Sequence, residues 1–440
     1  MRRYCKEVAI SDIKFIERCI WLWLKKKKSR TDVQRFLAQY SDGLTYRDVK
    51  EIIDNKDYDA LDKIIQQIAD DIRRRIQNRN LDLPPIYFKQ RYDTCCRKWR
   101  TIGIEKPIHQ IFDYIAVEAC KELFNAKIGP YQMASIPGRG QEKGCKQIQK
   151  WIQTDPSGTR YYAKGDVKKC YPSIPHDKLK AKFARDIKNP ELLWLICELI
   201  DAFPEGLSIG SYFSQYACNY YLSDAYHYAC EQLSKVQKRR GKEIRIRLVT
   251  HVLFYMDDVL VFGASKKDLE KAMKLLTVYA KDHLGLTIKP DWKVIEMDYV
   301  GKDGKHHGRF IDMMGYRIYR DHITIRRTTF KRCRRSILRS GAKIKAGRPI
   351  TPSMARRVVA YNGRLTHSDS RDFEKKYDVP RIMAICNRIV SENDKEKRRK
   401  ENEECISCTG ETGRNPVCKE RRWAGGCVDE TERDPAGMPF

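Results

Sequence analysis

Two adjacent aspartates, Asp257 and Asp258, lie between two short apolar runs at residues 252–255 and 259–262. This pattern predicts a strand, a tight turn and a second strand, with both acids at the tip of the hairpin. An Asp-Asp pair can simply make a turn, but buried strands on both sides would hold these carboxylates over the interior of a domain. Two negative charges held so close need a cation, and Mg²⁺ is a hard ion that carboxylates bind.

A third acid, Asp166, ends another β-like run that begins at Tyr161. Three carboxylates supplied by two strands form the type of site that holds two Mg²⁺ ions in phosphoryl transfer. In such a site one ion lowers the pKa of an attacking hydroxyl, and the other holds the oxygens of the leaving group. The sequence therefore predicts a two-metal centre at Asp166, Asp257 and Asp258.

The elements that must position these acids alternate between β-type and helical stretches from about residue 86 to residue 300, which predicts a mixed α/β (α+β) domain. A helix is predicted directly after the hairpin, with Ser265 as N-cap and Gly285 as its stop. Its apolar face would be Leu269, Met273, Leu276 and Ala280. Residues 1 to about 80 also show helical spacing, and Pro84-Pro85 closes that section.

The excess of positive charge limits the classes of protein to which this chain could belong. The chain has 440 residues, 87 Lys and Arg against 58 Asp and Glu, and a net charge of +29. With 41% hydrophobic residues and 24 tyrosines it is not a disordered polycation, so we expect a folded protein that neutralises phosphates. No apolar run approaches the roughly 18 residues of a membrane span, and the first residues do not resemble a signal peptide. We therefore expect an intracellular protein without a membrane partner.

Seven blocks resemble those of reverse transcriptases and follow the order of that family. They are residues 97–104, 138–141, 161–171, 206–215, the Tyr255-Met256-Asp257-Asp258 box, 284–289 and 310–316. The resemblance is strong over about residues 85–320 and weak over 321–395. It implies a right-hand polymerase with a helical N-terminal extension (1–84), fingers and palm (85–320), a basic helical thumb (321–395) and a Cys-containing tail (396–440). The implied palm is an antiparallel sheet backed by helices.

The resemblance also implies roles for matching residues. Asp166, Asp257 and Asp258 would ligate two Mg²⁺ ions with help from the Val167 carbonyl. Tyr171 would exclude a 2′-hydroxyl from the nucleotide site. The remaining implied positions are Arg100 and Lys98 for the triphosphate, Lys289 as general acid for pyrophosphate, Ile209, Gly210 and Gln215 in the nucleotide loop, and Met313 to Tyr316 at the primer end. Arg100 could instead form a surface salt bridge, Lys289 could be a solvated lysine, and Met313 and Tyr316 could belong to the core.

The nucleotide loop departs from the commonest family pattern. Its pairs are Ile209-Gly210 and Ser214-Gln215, where many relatives carry Gln-Gly and Ser-Pro. This form resembles the bacterial or phage-encoded lineage of diversity-generating retroelements, which implies low fidelity, a structured cognate RNA and an accessory protein. An isoleucine can only pack against a nucleotide, whereas a glutamine could hydrogen-bond to it. We therefore expect a smaller energy gap between right and wrong nucleotides.

Two basic or cysteine-rich segments complete the sequence. Residues 321–400 hold 23 Lys and Arg against 8 Asp and Glu, which as a thumb would follow the phosphates of an RNA–DNA hybrid. In the tail, the spacing of Cys405, Cys408, Cys418 and Cys427 allows a four-cysteine zinc site. A flexible tail with free thiols is the alternative. The other twelve cysteines are scattered, and most are expected to be small core residues.

The leading hypothesis is an RNA-directed DNA polymerase, a cytoplasmic nucleotidyltransferase that uses an RNA template, a DNA primer, dNTPs and two Mg²⁺ ions. A second enzymatic hypothesis is template-independent or protein-primed DNA synthesis in antiphage defence. A non-enzymatic hypothesis is an RNA-binding scaffold with a relict palm, against which the intact acids and Tyr171 argue.

Overall fold

The computed structural model describes residues 3–93, 98–239 and 242–407. Its helices are α1 (Ile13–Leu24), α2 (Thr31–Ala38), α3 (Tyr46–Asp54), α4 (Tyr58–Gln77), α5 (Pro107–Ala119), α6 (Lys121–Lys127), α7 (Gln141–Thr154), α8 (His176–Asp186), α9 (Pro190–Asp201), α10 (Tyr212–His227), α11 (Lys266–Leu284), α12 (Arg327–Lys345), α13 (Pro352–Leu365), α14 (Arg371–Lys376) and α15 (Val379–Ser407). Its strands are β1 (Tyr87–Asp93), β2 (Lys98–Ile104), β3 (Tyr161–Asp166), β4 (Ser234–Arg239), β5 (Lys242–Arg247), β6 (His251–Tyr255), β7 (Asp258–Gly263), β8 (Val294–Glu296), β9 (Tyr299–Val300), β10 (His306–His307), β11 (Ile311–Met313), β12 (Tyr316–Ile318) and β13 (Ile323–Ile325). The expected mixture of helices and antiparallel sheets is confirmed.

A four-stranded antiparallel sheet with the order β6-β7-β3-β8 lies at the centre of the molecule. Successive residues of β7 belong to different cores: Val259 and Val261 pack with the N-terminal helices and α11, and Leu260 and Phe262 pack with β11–β13 and the C-terminal helices. Side chains alternate between the two faces of a strand, so both faces of this sheet are covered. That is why residues 252–255 and 259–262 are continuous apolar runs.

The helix predicted after the hairpin is confirmed as α11. The Ser265 side chain accepts the backbone N–H of Asp268, and Gly285 ends the helix in the left-handed conformation at φ 67°. Both are the local signals that start and stop a helix. The predicted apolar face is buried against the sheet.

The N-terminal residues form four helices, as their spacing predicts, and α4 ends at Gln77, before Pro84. Their buried residues, among them Ile16, Ile20 and Trp23, belong to the same continuous core as α10 and α11. The N-terminal helices are therefore packed onto the sheet-bearing part of the chain, chiefly through contacts of α1 with α5.

The C-terminal helices pack on the opposite face of the sheet. In α12, Cys333 and Ile337 are buried, while Lys331, Arg335 and Arg339 are exposed or half-exposed at four-residue intervals. Residues four apart share one face of a helix, so α12 carries a basic stripe on its exposed side.

Two further sequence expectations concern burial. From Cys5 to Cys386, the cysteines that the structure describes are buried or half-buried and free, as expected for core residues. Among residues 3–93, 98–239 and 242–407, no helix has both the length and the apolar character needed to cross a membrane.

Candidate active site

The structure brings the three predicted acids together at one end of the central sheet. Asp166, the last residue of β3, lies directly opposite Asp258, the first residue of β7. Directly opposed residues of antiparallel strands have Cβ atoms about 5 Å apart. Asp257 joins them because the Val167 N–H donates to the Asp257 carbonyl at 2.9 Å. Register and hairpin together therefore place all three carboxylates around one point.

In the turn that precedes Asp257, the backbone of Met256 adopts the left-handed conformation, with φ 51°. Non-glycine residues adopt this conformation at a cost and need support from their surroundings. The Met256 sulfur accepts hydrogen bonds from the Asn219 side-chain amide at 3.5 Å and from the Tyr171 hydroxyl at 3.7 Å. Two side chains from outside the hairpin thus hold the turn in place.

Desolvation and neighbouring negative charges both act on Asp257. Desolvation by the surrounding protein, with the charges of Asp258 and Asp166, raises the pKa of Asp257 to about 6, although Arg100 acts in the opposite direction. Despite this desolvation, Asp257 is exposed to solvent at its surface. A carboxylate surrounded in this way is stabilised by any cation that reaches it.

Two lysines already form ion pairs with these acids. Lys164 Nζ lies 2.9 Å from Asp258 Oδ1, and Lys289 Nζ lies 2.6 Å from Asp166 Oδ1. The hydrogen bond to Asp166 raises the pKa of Lys289. The cluster therefore offers three carboxylates as hard oxygen ligands and already attracts two ammonium groups. This set of ligands fits a divalent magnesium ion.

The backbone of residues 284–289 lies beside β3. The Lys289 N–H donates to the Asp166 carbonyl at 2.9 Å, and the Lys168 N–H donates to the Thr287 carbonyl at 2.8 Å. Lys289 therefore reaches the acids from a backbone that is fixed to the same strand.

Tyr171 connects the acid cluster to the predicted nucleotide loop. Its carbonyl accepts the Leu207 N–H at 2.9 Å, and its ring is half-buried beside the turn of Met256. Burial raises the pKa of its hydroxyl. Gly206 has φ 55°, and a Cβ there would lie 2.5 Å from the backbone of Pro172, so only glycine fits this contact.

A second glycine contact docks the β1–β2 hairpin onto the loop. The Ser208 hydroxyl accepts the N–H groups of Gly103 at 3.1 Å and Gly210 at 3.3 Å. A Cβ on Gly210 would lie 2.0 Å from the Gly103 carbonyl oxygen. Side chains are excluded here because the two backbones touch.

The other predicted nucleotide residues surround the same loop. Ile209 is half-buried in the turn before α10, and Gln215 lies half-buried in the first turn of that helix. Arg100 and Lys98 lie two residues apart on β2, Lys98 exposed and Arg100 paired with Asp93 at 3.1 Å. The salt bridge considered for Arg100 is thus present, and the positive charge of Arg100 acts to lower the pKa of Asp257.

The segment from Met313 to Tyr316 forms the β11–β12 hairpin. Met313, Met314 and Tyr316 are all at least 95% buried in the core of the C-terminal helices. The core interpretation of these side chains therefore holds, and contact with a primer would fall to the backbone of the turn.

One contributor to the site was missed from the sequence, namely Lys164. It lies two residues before Asp166 on β3, and strand periodicity places residues i and i+2 on the same face. That spacing could have identified it. Of the predicted zinc ligands, Cys408, Cys418 and Cys427 lie outside the described residues, as does the side chain of Cys405.

Comparison with known proteins gives one family and several distant relatives. The model of the family "Reverse transcriptase (RNA-dependent DNA polymerase)" matches residues 88–315. The "Uncharacterized 91 kDa protein in cob intron" of Schizosaccharomyces pombe is 27% identical over 154 residues, which are 34% of this chain and 17% of that protein.

Similar solved structures are of telomerases. Telomerase from Candida tropicalis in complex with a TWJ fragment of telomeric RNA is 11% identical with a TM-score of 0.42, over 73% of this chain and 54% of that one. The corresponding complex from Candida albicans is 11% identical with a TM-score of 0.36, over 70% and 61%. The chain thus spans about a sixth of the intron protein and little more than half of the telomerase chains.

Proposed function

This chain belongs to the reverse transcriptase (RNA-dependent DNA polymerase) family, whose model covers residues 88–315, and we propose that it copies an RNA template into DNA from a primer and dNTPs. The observation that carries the proposal is the register of β3 and β7, which sets Asp166 opposite Asp258 with Asp257 at the adjoining turn. A scaffold that only bound RNA would have no need to keep three mutually repelling carboxylates together.

In this proposal Asp166, Asp257 and Asp258 hold two Mg²⁺ ions, with the Val167 carbonyl as a further ligand. Bound there, the ions would lower the pKa of the primer 3′-hydroxyl and neutralise the triphosphate. Lys164 and Lys289 would be displaced from the carboxylates as the ions bind. Lys289 would then be free to give a proton to the departing pyrophosphate, a role that suits an ammonium at the edge of the cluster.

The remaining residues would orient the nucleotide. Arg100 and Lys98 would contact the triphosphate from β2, Arg100 through its planar fork of donors. The Tyr171 ring, fixed between the acid turn and residue 207, would occupy the space that a 2′-hydroxyl needs. Ile209, Gly210 and Gln215 would form the opposite wall.

The test is primer extension on a defined heteropolymeric RNA template with Mg²⁺ and dNTPs. The proposal predicts products whose sequence is complementary to the template and whose length is set by its 5′ end. Prior digestion of the RNA should abolish them. Products of unchanged length and sequence after RNA digestion would favour template-independent synthesis, the activity of the antiphage-defence alternative.

We further propose low-fidelity synthesis in a diversity-generating retroelement, with a structured cognate RNA and an accessory protein as partners. The apolar Ile209 in the nucleotide loop supports this narrower role, since it offers no hydrogen bond that reports correct base-pair geometry. Comparison of wild type with Ile209→Gln on one template should show fewer misincorporations in the variant. An unchanged error spectrum would remove Ile209 from the explanation.

A further inference from the structure

A second cluster of ligand-type side chains lies away from the catalytic acids. His109 and Asp113 lie four residues apart on one face of α5, and Glu105 lies two residues before the helix begins at Pro107. All three are buried, with exposed fractions of 4%, 0% and 1%. Nothing in the proposed polymerase chemistry uses them.

Several polar atoms of this cluster have no hydrogen-bond partner. They are Glu105 Oε1, Asp113 Oδ1 and both ring nitrogens of His109. One ligand atom from each residue lies within 4.8 Å of the others, and His109 Nε2 is 3.9 Å from Glu105 Oε1. Buried polar groups are almost always paired, so four unpaired atoms within one small cluster need an explanation.

A shared proton would explain only part of the cluster. Burial and the charge of Asp113 raise the pKa of Glu105 to about 10, so a protonated Glu105 could donate to Asp113. That arrangement leaves both nitrogens of His109 unsatisfied, and burial lowers the pKa of His109. A neutral imidazole has one N–H donor and one lone pair, and neither would have a partner.

Lys27 does not satisfy the cluster either. Its ammonium donates to Gln110 Oε1 at 2.9 Å and lies 5.1 Å from the centre of the Tyr114 ring. Burial lowers the pKa of Lys27 to about 8, and the negative charges of Asp113 and Glu105 oppose this lowering. Lys27 therefore occupies a neighbouring position and leaves the ligand atoms facing one another.

We propose that Glu105, His109 and Asp113 bind a zinc ion that stabilises the fold around the nucleotide loop. One imidazole nitrogen and two carboxylate oxygens are ligands that zinc accepts, with water in the fourth position. Magnesium is disfavoured because it prefers oxygen ligands alone. Tetrahedral bonds of about 2.1 Å separate ligand atoms by about 3.4 Å, so a cluster whose ligand atoms lie within 4.8 Å of one another would contract by up to about 1.4 Å on binding the ion.

The second oxygen of Asp113 links this site to the loop. Asp113 Oδ2 accepts the Ser211 hydroxyl at 2.8 Å and the Phe213 N–H at 3.0 Å. Ser211 is the N-cap of α10, and it follows Gly210 directly. A metal that fixes the carboxylate of Asp113 would therefore fix the start of α10 and the loop before it, without contact with the catalytic acids.

The experiment measures metal binding by the full chain with Cys405, Cys408, Cys418 and Cys427 all replaced by serine, so that tail thiols cannot contribute. Excess Mg²⁺ is present to occupy the catalytic acids. We expect about one zinc per chain by elemental analysis, and on Co²⁺ substitution weak visible bands of nitrogen and oxygen ligation without thiolate charge-transfer absorption. Removal of the metal by a chelator should lower the melting temperature, and added Zn²⁺ should restore it.

The variant His109→Leu should lose the zinc and the Co²⁺ bands, while the matched control His283→Leu, at an exposed histidine of α11, should retain both. If His109→Leu fails to fold by circular dichroism, Glu105→Gln replaces it, with an affinity for Zn²⁺ weaker by about tenfold or more expected. Zinc content in the folded variant equal to that of the four-serine parent chain, or no binding of Zn²⁺ or Co²⁺ by that parent chain, would overturn the proposal. Because the readouts are metal content and melting temperature, they are independent of polymerase activity.

Discussion

Asp257 lies where its own negative charge is disfavoured, with a pKa raised to about 6 by desolvation and by Asp258 and Asp166. Without a metal it therefore holds its proton at pH values where an ordinary aspartate has lost it. Protons and metal ions compete for the same oxygens. The residue can act as a ligand only after the proton leaves, which connects its environment to a measurable pH dependence.

We predict that the Mg²⁺ concentration for half-maximal activity rises as the pH falls below about 6, by up to about tenfold per pH unit. The sign follows from the raised pKa: the protonated form dominates below it and the metal-binding form above it. Magnesium titrations of primer extension between about pH 5 and pH 8 measure this. A requirement for Mg²⁺ that is constant across that range would contradict the assigned environment.

At Tyr171 the ring, more than the hydroxyl, should control the choice of sugar. Tyr171→Ala should raise the incorporation of ribonucleotides relative to deoxyribonucleotides by at least about tenfold, because space opens for the 2′-hydroxyl. Tyr171→Phe is the matched control, since it keeps the ring and removes only the weak contact with the Met256 sulfur. Equal discrimination by the Ala variant and wild type would show that the gate is elsewhere.

At the scale of elements, the contact of the β1–β2 hairpin with the nucleotide loop depends on two glycines. Gly210→Ala would place a methyl group 2.0 Å from the Gly103 carbonyl oxygen, so the hairpin or the loop must move. A displacement of about 1 Å in a catalytic site can reduce the rate about a hundredfold, and we predict a loss of that order with secondary structure retained.

Gly363→Ala is the matched control for that substitution. Gly363 lies within α13 with open space where its Cβ would point. Alanine there should leave activity unchanged and stabilise the fold by up to about 1 kcal/mol, because alanine is the better helix former. Parallel assays of extension rate and melting temperature distinguish the two variants. Similar losses in both would mean that the close backbone contact is not responsible.

The elements that could be predicted from the sequence are those specified by neighbouring residues. The Asp-Asp hairpin, the strand that ends at Asp166 and helix α11 with Ser265 and Gly285 at its ends all depend on short-range patterns. The ion pair of Lys164 with Asp258 and the docking of Gly210 on Gly103 join residues far apart in sequence. Such contacts depend on strand order and on the packing of separate elements, which periodicity does not encode. The buried Glu105, His109 and Asp113 show regular spacing, yet their unpaired atoms become visible only in three dimensions.

At the scale of the whole molecule, part of the net charge of +29 lies on the exposed side of α12. The stripe of Lys331, Arg335 and Arg339 on α12 faces away from the buried Cys333 and Ile337. Helical basic stripes that contact a duplex release counterions from its phosphates. We propose that this stripe binds the phosphates of an RNA–DNA hybrid in the manner expected of a thumb.

We predict that replacing these three residues by alanine weakens binding to an RNA–DNA hybrid of any sequence. The plot of log affinity against log salt concentration should become shallower by about two to three units, close to one unit for each phosphate that is no longer neutralised. Lys267, Lys271 and Lys274 on α11 are exposed as well, and their triple alanine variant controls for total charge. Equal slopes for the two triple variants would refute a specific role for the stripe.

We propose that the opposed aspartates of β3 and β7 form the catalytic centre. To test this, we would compare the primer-extension rates of wild type, Asp257→Asn and the control Asp282→Asn, an exposed acid of α11, on one RNA template at saturating Mg²⁺. We predict a loss of about a thousandfold or more for Asp257→Asn, since a metal ligand is removed without a change of shape, and a wild-type rate for Asp282→Asn. Extension by Asp257→Asn at the rate of wild type would contradict it.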